Sequence, residues 1–107
     1  MSAAYDDDRM FSNYILGHRP QPEYVVHYPA ERSLDHLVTV ALHVALAIAY
    51  ERPLYFLVHH TATLPDGFRR LATIVESYGS DGDSEEAATA RLLRRIESDR
   101  LRKKKRS

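Results

Sequence analysis

The feature that most constrains this chain is an apolar stretch at residues 37–50, followed after a short break by a second one, LYFLV. The first stretch is shorter than the roughly 20 residues that a membrane-spanning helix needs. Glu51, Arg52 and Pro53 separate the two and end any helix that contains the first. We therefore expect a soluble chain with no membrane partner, in which both stretches enter one small core.

The two apolar stretches differ in pattern. Residues 34–50 read as a helix with Ser33 as its N-cap. That helix is apolar on nearly every side, which predicts burial on more than one face. Residues 54–59 form a short, continuously apolar run, which is typical of a strand in a parallel sheet covered on both faces.

Further elements surround these two. Residues 23–28 (EYVVHY) are rich in β-branched and aromatic side chains and predict a strand. Residues 63–66 (TLPD) resemble a capping box at the start of a helix. Residues 72–78 (ATIVESY) fit a third strand or a continued helix, and we favour the strand. Asp8 could cap a short helix over residues 9–16.

The chain closes with a helix that begins near Ser84. Its predicted apolar stripe consists of Ala88, Leu92, Leu93 and Ile96. The elements thus alternate along the chain, which predicts an α/β fold with a small parallel sheet of two to three strands flanked by helices. An all-α helical bundle is the alternative. We divide the chain into an N-terminal extension (1–22), a single α/β domain (23–100) and a basic tail (101–107).

Two predicted strands end in histidine. His27 lies in the segment VHYPA, and His59 lies in the similar segment VHHTA, which begins 32 residues later in the chain. In parallel sheets, ligands bind beyond the carboxyl ends of the strands. The sequence therefore predicts that His27 and His59 share a binding edge.

Residues 43–53 carry a pattern of small residues, Ala45, Ala47 and Ala49, that ends in Arg52-Pro53 before a buried strand. This segment resembles the C-terminal part of the nucleoside 2-deoxyribosyltransferase-like and Toll/interleukin-receptor-like α/β family. In that family a catalytic glutamate begins the pattern, whereas His43 occupies the position here. The residues TLPDGFRRLATIVESYGSDGDSEEAATARLL are similar to the family's closing segment.

The resemblance implies a nucleoside or nucleotide ligand. An imidazole does not replace the carboxylate that acts at the sugar's anomeric centre, so we expect a non-catalytic or catalytically degenerate domain with no catalytic residue. If the chain is an enzyme, the resemblance implies a deoxyribosyltransferase-like or N-glycosidase-type hydrolase. The predicted ligand-binding residues are His27, His43, His59 and Asp66.

The chain has six histidines, whose ring nitrogens are potential metal ligands. His36 and His43 are seven residues apart and share a helix face, and His59-His60 could add a third nitrogen ligand. No HExxH motif or i,i+4 histidine pair occurs. We predict no metal site and no cofactor.

Charge is distributed unevenly although its net value is zero. Residues 91–106 hold nine basic and two acidic side chains, against six basic and thirteen acidic elsewhere. Such asymmetry predicts either a segment that binds a polyanion or one that docks on its own body. The alternative function is therefore a nucleic-acid-binding accessory protein, viral or plasmid-borne, that uses Arg91, Arg94, Arg95, Arg102, Lys103, Lys104, Lys105 and Arg106 on DNA or RNA.

Several tyrosines were expected in the core or at a subunit contact, because their polar tip suits such places. Two or three strands bury little surface alone, so we expect a homo-oligomer, most simply a homodimer. The chain has no cysteine, and its first residues are acidic rather than apolar, unlike a signal peptide. These features predict an intracellular, cytoplasmic protein, or a nuclear one in a eukaryotic host because of its KKKR segment.

Overall fold

The computed structural model describes residues 21–106, with the side chains of residues 21–104. The helix predicted over residues 9–16 lies outside this range. The described elements are β1 (Tyr24–Tyr28), α1 (Leu34–Ala49), β2 (Leu54–His59), α2 (Asp66–Leu71), β3 (Ile74–Tyr78), a 3-10 turn (Ser80–Gly82) and α3 (Glu85–Arg106).

The three strands form one parallel sheet in the order β1-β2-β3. The predicted α/β fold with a parallel sheet is thereby confirmed. The segment that could have been strand or helix is the strand β3. Tyr24 lies opposite Leu54, and Tyr55 lies opposite Ile74.

The two faces of the sheet are covered by different helices. On the first face α1 and α2 pack on alternate strand residues, among them Val26 and Phe56. On the second face α3 packs on Tyr55, Leu57 and Tyr78. As predicted, β2 is buried on both sides: its residues 54–58 are at most 5% exposed. The chain therefore changes face once, between β3 and α3.

Local sequence explains two of the helix starts. The Ser33 hydroxyl accepts a hydrogen bond from the backbone N–H of His36 at 3.0 Å, so the predicted N-cap of α1 is confirmed. Ser84 caps α3 by accepting from the Ala87 N–H at 3.0 Å. The predicted capping box of α2 is wrong, because Pro65 takes the N-cap position and makes no side-chain cap bond.

The outer face of α1 contradicts the sequence prediction. We expected a helix that is buried on more than one face, but only one side of it packs on the sheet, through Val40, Val44, Leu46 and Ala47. On the opposite side Leu34 is 77% exposed and Ile48 is 55% exposed. The sheet has three strands and α1 lies on its outside, so nothing among the described residues covers that second side.

The terminal helix α3 continues through Arg106, so residues 101–106 extend it without a break. Three residues of its predicted apolar stripe are buried, namely Ala88, Leu92 and Ile96. Leu93 is 56% exposed, so its inclusion in the buried stripe was wrong. Leu93 follows Leu92 by about 100° around the helix, which turns it away from the sheet. Among residues 21–106 no helix is both long and apolar enough to cross a membrane.

The neighbouring leucines of α3 provide a test of the packing. We expect Leu92→Ala to lower the free energy of unfolding by about 2–5 kcal/mol, because it leaves a cavity against the second face of the sheet. Leu93→Ala is the matched control and should change it by less than about 0.5 kcal/mol. Urea unfolding followed by circular dichroism measures both. Equal losses in the two variants would contradict this placement of α3.

Candidate functional site

The register of β1 and β2 places His27 and His59 on the same face of the sheet. Tyr24 pairs with Leu54, which is an offset of 30 residues, whereas the two histidines are 32 apart. His59 is therefore two residues further along the sheet than His27. Because side chains alternate between faces with a period of two, an even difference keeps both histidines on the face that α3 covers.

His27 contacts two groups from other elements. Its Nε2 atom lies 2.6 Å from the hydroxyl oxygen of Tyr78, the last residue of β3. Its Nδ1 atom lies 3.7 Å from Oε1 of Glu85, the first residue of α3. The carboxylate favours a proton on Nδ1, which leaves Nε2 to accept the hydrogen bond from Tyr78. A carboxylate, an imidazole and a phenol thus stand in sequence at this edge.

His59 lies on the other side of Tyr78. The two rings meet edge to face, with centroids 5.1 Å apart, and the ring of His60 lies 4.6 Å from that of His59. The Thr61 backbone N–H donates to Nδ1 of His59 at 3.2 Å. The Nε2 atom of neutral His59 therefore carries the proton.

Gly79 permits the close approach of these rings. A Cβ atom at this position would lie 2.6 Å from Nε2 of His59 and 3.0 Å from Nδ1 of His60. The residue also has φ +94°, in the left-handed region that glycine adopts without strain. The backbone and the two imidazoles are consequently packed against each other at the end of β3.

The phenol of Tyr78 is kept protonated at neutral pH. Burial raises its pKa, and the negative charge of Glu85 raises it further. Tyr78 is 8% exposed, so its hydroxyl serves as a hydrogen-bonding group within the cluster and its ring as a wall for His27 and His59.

We name these residues the carboxyl-edge cluster: His27, His59, His60, Tyr78 and Glu85. The change of face brings them together, because the loop after β3 carries the chain over the carboxyl end of the sheet into α3. Beside them a shallow depression of about 600 Å³ lies along the first turns of α3, lined by Ser84, Glu85, Glu86 and Thr89.

The structure separates the other predicted ligand-binding residues from this cluster. His43 lies on the opposite face of the sheet, where its ring faces Tyr24, the first residue of β1, at a centroid distance of 6.1 Å. Asp66 begins α2, which also packs on that face. His36 donates from Nε2 to the carbonyl oxygen of His27 at 2.8 Å and so braces the end of β1. Of the four predicted ligand-binding residues, the structure brings together His27 and His59 at one edge and places His43 and Asp66 on the opposite face.

Sequence reasoning missed Tyr78 and Glu85. Tyr78 could have been found by applying the carboxyl-end rule to the third strand, which ends immediately before Gly79. Glu85 carried no such signal, because acidic residues are common in the first turn of any helix. Its approach to His27 depends on the path of the loop.

A second group of charged residues joins α3 to the sheet. Arg91 donates to both carboxylate oxygens of Asp83, at 2.8 and 2.6 Å, and its Nε donates to Glu76 at 2.9 Å. Arg95 donates to the other oxygen of Glu76 at 2.6 Å. Arg100 bonds Glu23 at the start of β1.

These ion pairs change the titration of the carboxyl groups. Burial alone would raise the pKa of Glu76, but the hydrogen bonds from Arg91 and Arg95 outweigh it and hold the pKa below its ordinary 4.5. The hydrogen bond from Arg91 lowers the pKa of Asp83 below its ordinary 3.8. Both carboxylates also hold the Arg91 guanidinium firmly in its charged form by raising its pKa.

Four of the eight cations predicted to bind nucleic acid are thus seen to pair with carboxylates of the described chain. Besides Arg91 and Arg95, Arg102 and Lys103 lie 3.2 and 3.3 Å from the carboxylate of Asp99. Arg94 is exposed, and no hydrogen bond or ion pair is seen for it in the described part of the chain. A groove of about 540 Å³ runs between α3 and β3, and four arginines line it: Arg91, Arg94, Arg95 and Arg102.

Neither group of residues forms a metal centre in the described range. Between residues 21 and 106, no three His, Asp or Glu side chains converge as metal ligands would. The histidines of the carboxyl-edge cluster instead face Tyr78, Thr61 and one another.

Comparison with known proteins adds no relative. No family model, no curated protein and no solved structure matches this chain. Its class is defined by its own fold: a three-stranded parallel α/β domain with aromatic and carboxylate groups at the carboxyl edge of its sheet.

Arg91 provides a test of the ion pairs. A carboxyl whose pKa is depressed in the folded state adds stability above its unfolded pKa, and this stability is lost as the pH falls through the folded value. We therefore expect Arg91→Gln to be less stable than the wild type at pH 7. The difference should shrink as the pH falls below the ordinary values of 4.5 and 3.8.

The measurement is the free energy of urea unfolding across this pH range. Arg94→Gln removes the same charge from a position with no observed ion pair in the described part of the chain. Its free energy of unfolding should stay close to that of the wild type at every pH. If Arg91→Gln were equally destabilised at every pH, the effect would come from lost packing and not from the carboxylates.

Proposed function

We propose that this chain is a non-catalytic α/β binding domain that takes a nucleoside-like ligand at the carboxyl edge of its sheet and acts as a homodimer. The observation that carries the proposal is the convergence of His27, His59 and Tyr78 at the end of three parallel strands. Ligands of parallel α/β sheets bind at this edge.

The chemistry of the edge suits a nucleoside in two respects. The rings of His59 and His60 offer planar surfaces of the kind on which a nucleobase stacks. The carboxylate of Glu85 lies half-exposed beside His27 and the depression along α3, where it can accept hydrogen bonds from sugar hydroxyls.

Electrostatics favour the nucleoside over its phosphate esters. Glu85 and Glu86 line the depression, and Asp81 and Asp83 lie in the adjoining loop. Arg91 offsets Asp83. The remaining negative charges would repel a phosphate, although a helix N-terminus otherwise attracts one. We therefore narrow the expected ligand class from nucleoside or nucleotide to nucleoside.

The position of His43 supports a non-catalytic role. This residue occupies the position of the glutamate in the family that residues 43–53 resemble, and its ring faces Tyr24 at the amino end of β1. It therefore stands on the other face from the carboxyl-edge cluster and supplies no carboxylate there. The cluster can hold and orient a ligand, but Tyr78 is buried and kept protonated, so it is a weak nucleophile.

Binding can be tested with nucleosides and their 5′-monophosphates. We expect at least one nucleoside to raise the melting temperature, and calorimetry to show weaker binding of its monophosphate. His59→Ala removes a stacking surface and should raise the nucleoside dissociation constant about tenfold, since base–aromatic stacking is worth about 1–3 kcal/mol.

A charge variant sharpens the test. Glu85→Gln keeps the shape of the side chain but removes its charge. It should therefore weaken the binding of the nucleoside and reduce the difference in affinity between the nucleoside and its monophosphate. Glu97→Gln removes one carboxylate from an exposed position further along α3 and should bind like the wild type. Failure of every nucleoside to bind, or tighter binding of the monophosphate to the wild type, would contradict the proposal.

A second candidate function is supported by the arginine-lined groove between α3 and β3. Four guanidinium groups along one helix could follow a phosphate backbone. Glu76 and Asp99 neutralise much of this charge from within the groove. Any such binding would therefore rest mainly on Arg94, and we expect it to be weak.

Salt dependence tests this candidate. If the groove binds DNA or RNA, the affinity should fall with rising salt, and Arg94→Gln should reduce the slope by about one phosphate contact. Leu93→Ala, an exposed uncharged neighbour, should leave the slope unchanged. A slope that Arg94→Gln does not alter would exclude this groove as the contact.

A further inference from the structure

The outward face of α1 is apolar along its whole length. Leu34, Val38, Ala41, Ala45 and Ile48 recur at alternating intervals of four and three residues, which places them in one stripe. All five are classed as exposed, and Leu34, Val38 and Ile48 are 77%, 52% and 55% accessible. No polar residue interrupts the stripe.

This arrangement is the reverse of an ordinary surface helix, whose outward face is polar. The opposite side of α1 packs on the sheet through Val40, Val44 and Ala47. The outward stripe therefore has no role in the described fold. Contiguous exposed apolar surface of this kind marks an interaction site.

The stripe is suited to a second copy of itself. Its smallest members, Ala41 and Ala45, lie near the middle, where two helices related by a two-fold axis come closest. Of its larger members, Leu34 and Ile48 lie towards the ends, where they would cover the flanks of the contact, and Val38 lies about one turn before Ala41. A two-fold interface needs a surface that is complementary to itself, and this stripe has that form.

The helix dipole favours an antiparallel arrangement, and Asp35 and Arg52 favour it too, although the exposed Glu51 beside Arg52 offsets part of that attraction. Asp35 is exposed in the first turn, and Arg52 is exposed just beyond the last, where it borders the same groove as Ile48. Antiparallel pairing sets Asp35 of one copy near Arg52 of the other and opposes the helix dipoles favourably. Parallel pairing would bring like charges and like dipole ends together.

We propose that two copies of this chain associate through antiparallel packing of the α1 stripes. This inference names the surface of the homodimer in the proposed function but does not depend on the nucleoside. The carboxyl-edge cluster lies with α3 on the other face of the sheet. Both ligand edges would therefore remain open in the dimer.

The expected affinity follows from the size of the contact. A 16-residue helix is about 24 Å long. Two such helices packed side by side bury less surface than an interface of standard size, which buries about 1,600 Å² in total. We expect a dissociation constant on the order of micromolar. The dimer should therefore dissociate visibly on dilution.

Sedimentation equilibrium of the full chain tests the association. The wild type should change from dimer to monomer with dilution, and Ala41→Glu should raise the dissociation constant about tenfold or more, because it buries a charge in the middle of the stripe. Thr39→Glu adds the same charge to an exposed position outside the stripe and should change it about twofold at most. Glutamate is a good helix former, and unchanged melting temperatures at a dilution where all three chains are monomeric would show that the fold is intact.

Disulfide trapping tests the orientation, since the chain has no cysteine of its own. Ala41→Cys or Ala45→Cys should form a covalent dimer under mild oxidation, because both lie near the two-fold axis. Leu34→Cys should not, as antiparallel packing holds its two copies far apart. Efficient trapping through Leu34→Cys alone would overturn the antiparallel arrangement.

Sedimentation and a vesicle-binding assay together distinguish the dimer from other uses of the stripe. A wild type that stays monomeric at every concentration would overturn the proposal. Monomers that bind phospholipid vesicles through the stripe would overturn it as well. Nucleoside binding by the monomeric Ala41→Glu variant should persist, so the ligand proposal and the dimer proposal fail or stand separately.

Discussion

The parallel pairing of β1 with β2 is the constraint on which the rest of the molecule depends. It places β2 directly beside β1, so that α1, which connects the two strands, packs on one face of the sheet. Its offset of 30 residues differs by an even number from the spacing of His27 and His59. A shift of one residue would turn one of these histidines to the opposite face. The carboxyl-edge cluster exists because the register is the one observed.

The change of face between β3 and α3 has two consequences. It carries Glu85 to His27 and so completes the cluster. It also lays the basic helix α3 over acidic groups of the sheet, where Arg91 and Arg95 share Glu76, and Arg100 reaches Glu23. Part of the uneven charge of the sequence is therefore balanced by contacts between the helix and acidic groups outside it. These contacts agree with a segment that docks on its own body, and binding of a polyanion stays a prediction.

The sequence pattern predicted some residues of the carboxyl-edge cluster but not others. His27 and His59 were predicted to share an edge, because strands and their carboxyl ends are visible in the sequence. Tyr78 obeys the same rule but lay in a segment of uncertain structure. His43 and Asp66 were grouped with the two histidines from a resemblance and a loop position, and the structure places them on the other face. Periodicity within a segment does not state which face of a sheet a helix will cover.

The sequence by itself determined the alternation of strands and helices, the caps at Ser33 and Ser84, and the burial of β2, because each depends on residues close together in the chain. Only the tertiary structure decided the side of the sheet on which each helix lies, the engagement of the arginines and the exposure of the α1 stripe. An apolar residue signals a tendency to leave water, but not the surface that it will meet. In a sheet of three strands there is too little surface to cover α1 on both sides, and so one side stays exposed among the described residues.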